Sequence, residues 1–176
     1  MILDVIRSKN PLDNFRYKDY RLSMVSRLQE EIHQTKPFAS IETEALLALM
    51  RTADQVAVRG AKFIKQWDLS PTQYNVLRIL RGAEPDGLNC RGIGDRLIAH
   101  DPDITRLLDR LEKRGLVARQ RDVADRRVIT TRITPGGLAV LAEADEPVEE
   151  FNRQLMGTLD QERLRTLIEL LDVLRQ

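Results

Sequence analysis

Between Asp103 and Lys113 the chain carries Thr105, Arg106 and Arg110, side chains suited to reading nucleic acid. Arginine can bind a guanine edge bidentately, and threonine can meet a phosphate or a thymine methyl, if a helix carries them into the major groove. A second basic group follows. Arg126 and Arg127, with Arg119 and Arg121 ahead of them, cluster around a short charged turn. Arginine suits a narrow minor groove because its weakly hydrated charge is drawn to the negative potential there, and Asp125 can orient Arg127. The competing readings are an amphipathic surface helix held by Arg–Asp pairs and a salt-bridged hairpin.

Enzymatic chemistry finds no comparable set. Cys90 is the sole cysteine, and His33 and His100 are the only histidines. Neither an intrachain disulfide nor a metal cluster at a recognised spacing can be assembled from them. Ser-His-Asp sets, cleft-forming carboxylate pairs and phosphate-cradling glycine loops are likewise missing. The expectation is a protein without a cofactor that binds and does not catalyse.

The chain has 176 residues, 42% of them apolar and 31% charged, enough for a sizeable core. It has no uninterrupted apolar run long enough to span a membrane. The start, Met1-Ile2-Leu3-Asp4-Val5, acquires charge too early for a signal peptide, which points to the cytoplasm. A net charge of +1 conceals an asymmetry: residues 1–90 sum to +2, residues 91–132 to +4 and residues 133–176 to −5. A basic middle suggests an anionic partner for that stretch alone, with a solvated face as the alternative.

The elements that must position these groups follow from periodicity and caps. Residues 1–40 say least. Tyr20 to Lys36 can form a helix that Pro37 stops, against the alternative of a flexible extension with Met24 as the true start. Ala45, Leu49, Ala53, Val56, Gly60, Phe63 and Trp67 recur at steps of three and four, which predicts one long helix from Ile41 to Trp67. Ser70-Pro71-Thr72-Gln73 is a capping box with proline at the first helical position, and Tyr74, Leu77, Ile79 and Leu80 form that helix's inner face. A loop over 82–87 leads to a short helix from Asn89 to about Ile98, with Ile93 and Leu97 inward. Gly92 and Gly94 each weaken it by up to about 1 kcal/mol relative to alanine.

Asp101-Pro102 predicts a cap and first residue for the next helix, which runs to Arg114 and stops at Gly115. That helix is too short to stand alone in water. It must lay Ile104, Leu107, Leu108 and Leu111 against the body, leaving Asp103, Thr105, Arg106, Asp109, Arg110 and Lys113 outward. Residues 116–121 and 127–133 read as a hairpin. Thr134-Pro135 opens a helix with a possible kink at Pro147, and Asp160 opens the last, where Leu164, Leu167, Leu171 and Leu174 form a stripe. The fold class is mainly α with a small β-hairpin wing, in the order of a winged helix-turn-helix.

Several linked segments carry a family resemblance. Leu69 to Leu77 resembles the second helix of the multiple-antibiotic-resistance regulator (MarR) family, and Asp103 to Val117 its recognition helix and exit strand. Asp125-Arg126-Arg127 is similar to its Asp-x-Arg wing motif, and Thr134-Pro135-Gly136-Gly137 to the start of its fifth helix. The resemblance covers roughly residues 41–176. One departure stands out, Gly92-Ile93-Gly94 where relatives have Leu-Ala, which implies a lobe that is softer or more closely packed there.

The resemblance implies a homodimer whose terminal helices intertwine. The resulting layout is an extension over 1–40, a dimerisation helix over 41–69, a DNA-binding lobe over 70–133 and C-terminal dimerisation helices over 134–176. The seams on the first and last long helices suit such an interface, although both also suit an intrachain core. A two-fold dimer sets its recognition helices about 34–36 Å apart on double-stranded DNA and implies a palindromic operator, with a repressor as the expected role. The family also implies a small aromatic effector between dimer helices and lobe, for which Arg51, Trp67 and Tyr74 are the candidates, with core packing the alternative for the two aromatics. A redox role for Cys90 would be disposed of if alkylation left operator affinity intact. A winged-helix module that binds protein and has lost its nucleic-acid role has the same pattern; a salt-insensitive partner and no shift of duplex DNA would identify it.

Overall fold

A computed structural model describes residues 26–98, 103–121 and 129–176. Packing divides the chain into two units, one through Ala53 and one from Asp54 onward. In the first, Ser26 and Gln29 form a reciprocal capping box on helix α1 (Arg27–Glu31). The expected helix from Tyr20 to Lys36 ends early, because His33 turns to a left-handed φ of 53° and the backbone leaves the helical path, while its first residues, 20–25, lie outside the described residues. Helix α2 (Ile41–Ile64) follows, with Ser40 accepting the Thr43 N–H at 3.2 Å. Its residues in this unit leave Ile41, Leu46, Leu49 and Met50 exposed.

The second unit contains the lobe. From Ile64 the helical path tightens into a 3-10 turn, Lys65–Trp67, which ends where Asp68 adopts a left-handed backbone. Ser70 then caps helix α3 (Pro71–Arg81) through the expected capping box with Gln73. Val76, Leu77 and Leu80 are buried along α3, so Val76 takes the innermost place expected of Ile79, which is half-buried.

Helix α4 (Cys90–Gly94) is shorter than expected, closing at its second glycine after Asn89 caps it by accepting the Gly92 N–H at 2.8 Å. The two glycines fit the closely packed reading. A Cβ on Gly94 would come within 3.0 Å of Ile104 Cδ1, and one on Gly92 within 3.3 Å of Leu88 Cδ2.

Helix α5 (Ile104–Lys113) has Asp103 at the cap position in a non-helical conformation, and the expected cap and first residue, Asp101 and Pro102, lie outside the described residues. Gly115 ends the element with φ 69°. Strands β1 (Val117–Arg121) and β2 (Ile129–Ile133) pair antiparallel, Val117 opposite Ile133 and Arg121 opposite Ile129. Leu88 adds an unanticipated third rung by exchanging both backbone hydrogen bonds with Thr131, at 2.9 and 2.8 Å. Gly87 makes that approach possible. Its φ is 73°, and a Cβ there would lie 2.5 Å from the Thr131 carbonyl oxygen.

Thr134 caps helix α6 (Pro135–Met156) and also donates its hydroxyl to the Gly115 carbonyl at 2.6 Å, tying α6 to the end of α5. Pro147 lies inside α6 without ending it. Helix α7 (Gln161–Leu174) begins at Asp160, as expected. One apolar core joins α3, α4, α5, both strands and α6 through Leu77, Leu80, Ile93, Leu108, Leu111, Val117, Ile133 and Leu141. No helix among the described residues is long and apolar enough to cross a membrane.

Candidate nucleic-acid interface

Helix α5 separates its two faces cleanly. Leu107, Leu108 and Leu111 are buried in the lobe core, and Ile104 is half-buried beside them. Thr105, Arg106, Arg110 and Lys113 are exposed on the other side. Asp103 is exposed too, its carboxylate 3.3 Å from the Arg106 guanidinium. Arg106 remains mostly in water despite that contact, so the pair constrains it little. The described part of the expected site is thus one continuous face. Asp125, Arg126 and Arg127 lie outside the described residues.

Asp109 and Arg119 depart from the expected picture. Asp109 is half-buried, not a free outward group, and Arg119 does not join a free basic finger. The Arg119 guanidinium turns back onto α5, 2.7 Å from Asp109 and 2.5 Å from Glu112. The Arg119 backbone N–H also donates to Glu112 at 3.2 Å. These hydrogen bonds from Arg119 hold the Glu112 carboxyl below the usual carboxylate range, and the same contacts raise the Arg119 guanidinium. Arg121, at the end of β1, is exposed.

Arg114 fixes the other end of the helix. It donates to the Asp68 carbonyl and, at 3.2 Å, to the Trp67 carbonyl, with the Asp68 carboxylate 3.6 Å away. It thereby satisfies carbonyls left free where the 3-10 turn ends. Neither role was legible from spacing, because Glu112 and Arg119 face each other only once Gly115 has reversed the chain.

The expected effector residues fall in both units. Arg51 belongs to the first unit, 3.8 Å from Glu31. Trp67 and Tyr74 are half-buried and pack on the lobe core. Burial pushes the Tyr74 phenol above its usual range, against the opposing charge of Arg78, whose guanidinium lies 5.9 Å from the ring centre. An open groove of about 640 Å³ lies between α2 and α6, lined by Arg59, Lys62, Phe63, Gln66, Phe151 and Leu155. Phe63 stacks on Phe151 with ring centres 4.3 Å apart and meets Trp67 edge-on at 5.7 Å, so Trp67 borders the groove's wall. Cys90 is half-buried against the core.

Comparison with known proteins agrees with this geometry. The MarR family profile matches residues 69–129, from the start of α3 to β2. A MarR transcription factor from Planctomyces limnophilus is 41% identical in sequence, superimposes with a TM-score of 0.62, and is matched over 99% of its length and 78% of this chain. The chain belongs to the MarR family. This MarR regulator is also 27% identical to the homoprotocatechuate degradative operon repressor of Escherichia coli, over 72% of the present chain and 84% of that protein. The MepR protein of Staphylococcus aureus, solved as a DNA complex, shares the fold at a TM-score of 0.66 with 21% identity, over 72% of this chain and 93% of MepR. The chain is accordingly a winged-helix transcriptional regulator.

Proposed function

We propose that this MarR regulator is a homodimeric repressor that binds a palindromic operator in double-stranded DNA. Asp103, Thr105, Arg106, Arg110 and Lys113 line the major-groove face. Asp125, Arg126 and Arg127 supply the wing contacts, and residues 41–69 and 134–176 form the dimer around the 70–133 lobe. The observation that carries this reading is the exposed Thr105–Arg106–Arg110–Lys113 face of α5, backed by a buried leucine stripe. A rigid helix with three unburied cations needs no rearrangement to meet a polyanion. MepR offers a DNA-bound example of the same fold.

The regulator acts in the cytoplasm by binding and not by catalysis. A small aromatic molecule that engages Trp67, Tyr74 or Arg51 releases it from DNA by favouring another lobe spacing. The named role of the Escherichia coli relative, repression of a homoprotocatechuate-degrading operon, supports an aromatic effector.

Selection of bound duplexes from a random pool tests the proposal. A symmetric consensus is expected, with affinity that falls as salt rises by roughly 0.9 log unit per log unit of salt for each phosphate neutralised. Arg127→Ala should make that slope shallower for every sequence, whereas Thr105, Arg106 or Arg110 substitutions should change the consensus. A pool without enrichment, alongside a protein partner whose binding ignores salt, would replace this reading with the protein-binding module.

A further inference from the structure

Arg119 sits at the root of the hairpin with two carboxylates of α5 on its guanidinium. Its mechanical contribution is largely duplicated by its neighbours. Leu116 and Val117 are buried in the core, and β1 pairs with β2 along its whole length. The Arg119 backbone N–H, which any residue here would keep, already holds Glu112. What the side chain adds is charge.

Helix α5 carries three cations, Arg106, Arg110 and Lys113, and two anions, Asp109 and Glu112. Those anions are not sealed in the protein: the Asp109 side chain is 44% exposed and that of Glu112 is 38% exposed. Their field therefore reaches the solvent on the helix that faces the polyanion. At physiological salt, charges closer than about 8 Å are only partly screened, so bare carboxylates on this helix would oppose phosphate binding.

We propose that Arg119 is a charge shield for the DNA-reading helix, neutralising Asp109 and Glu112 so that Arg106, Arg110 and Lys113 act on DNA unopposed. Arg119 is thus a positioning residue that works through two carboxylates, in place of the phosphate-binding arginine its sequence context suggests. The proposal rests on the DNA-binding reading of α5.

The test uses the full chain and a fluorescent duplex carrying the selected operator, titrated at several salt concentrations. Arg119→Met should weaken binding by about tenfold at low salt, the loss shrinking as salt screens the freed carboxylates. Adding Asp109→Asn and Glu112→Gln to Arg119→Met should restore affinity to within about threefold of the parent, because the opposing charge is gone. A purely structural role would not be rescued this way, since the triple variant still lacks the clamp.

Arg119→Lys keeps the charge without the planar fork, and should bind within about threefold of the parent even if Arg119→Met folds poorly. A triple variant as weak as Arg119→Met, or a lysine variant that loses tenfold, overturns the shield and makes Arg119 a DNA contact or a mechanical strut. Parent protein that shifts no duplex overturns the DNA reading and the shield together. Parent binding with no rescue overturns the shield alone.

Discussion

Helices α5 and α7 are written in the same amphipathic code, yet their surroundings differ. In α5 the leucine stripe disappears into the lobe, and Leu107, Leu108 and Leu111 are buried by α4, β1 and the body of the core. In α7 no residue is buried, and Leu167, Ile168, Leu170, Val173 and Leu174 are exposed. These residues cover more of the circumference than the stripe of Leu164, Leu167, Leu171 and Leu174. A helix apolar over so much of its surface requires cover from more than one side. The difference separates an element finished within one chain from one that the proposed dimer would complete.

The largest effect should come from breaking that contrast directly. Leu108→Ala removes a fully buried side chain and should cost about 2–5 kcal/mol of unfolding free energy. Leu170→Asp with Val173→Asp should leave the helix content by circular dichroism nearly unchanged but shift the sedimentation coefficient from dimer to monomer. If the α7 pair unfolds the lobe as Leu108→Ala does, or leaves a dimer untouched, the contrast fails.

The same contrast marks what was legible in the sequence. Ser70-Pro71-Thr72-Gln73, Thr134-Pro135 and Asp160 mark their helix starts correctly, because a cap is a local event settled by neighbours three residues apart. The inner and outer faces of α5 were also legible, since leucine spacing fixes them. Two features were not. The Leu88–Thr131 rung joins residues 43 positions apart, and no periodicity encodes such a pairing. Arg119 reads as one more cation of a basic finger until the chain reversal at Gly115 brings it onto Glu112. Charged residues signal presence in a sequence, while their partners depend on tertiary packing.

Gly87→Ala sharpens the comparison from the lobe side. The positive φ and the 2.5 Å approach to the Thr131 oxygen should cost about 1–3 kcal/mol, read as a lower denaturant midpoint, with the hairpin end of the lobe losing hydrogen-exchange protection first. An unchanged midpoint would mean that the third rung contributes nothing to holding the hairpin. On the solvent face, Arg110→Ala should leave stability within about 0.5 kcal/mol. It should reduce discrimination at one operator position by about 1–3 kcal/mol. Equal losses on operator and on random duplex would make Arg110 a phosphate contact instead.

The smallest effect tests how dry the lobe core is. Tyr74 packs on that core, and burial raises its phenol above the ordinary tyrosine range. The charges of Arg78 and Arg81 oppose the shift, whereas Asp145 and Glu149 add to it. Because the folded state holds this proton more tightly than the unfolded state, the Tyr74 contribution is fully present below the ordinary tyrosine pKa and is lost as pH rises from there through the raised folded-state value. Melting temperature should therefore decline more steeply with pH above about 10 in the parent than in Tyr74→Phe, whose ring packs alike but carries no titrating proton. Matching alkaline slopes would show that water reaches Tyr74, and the lobe core would then be no drier at this point than the exposed face of α7.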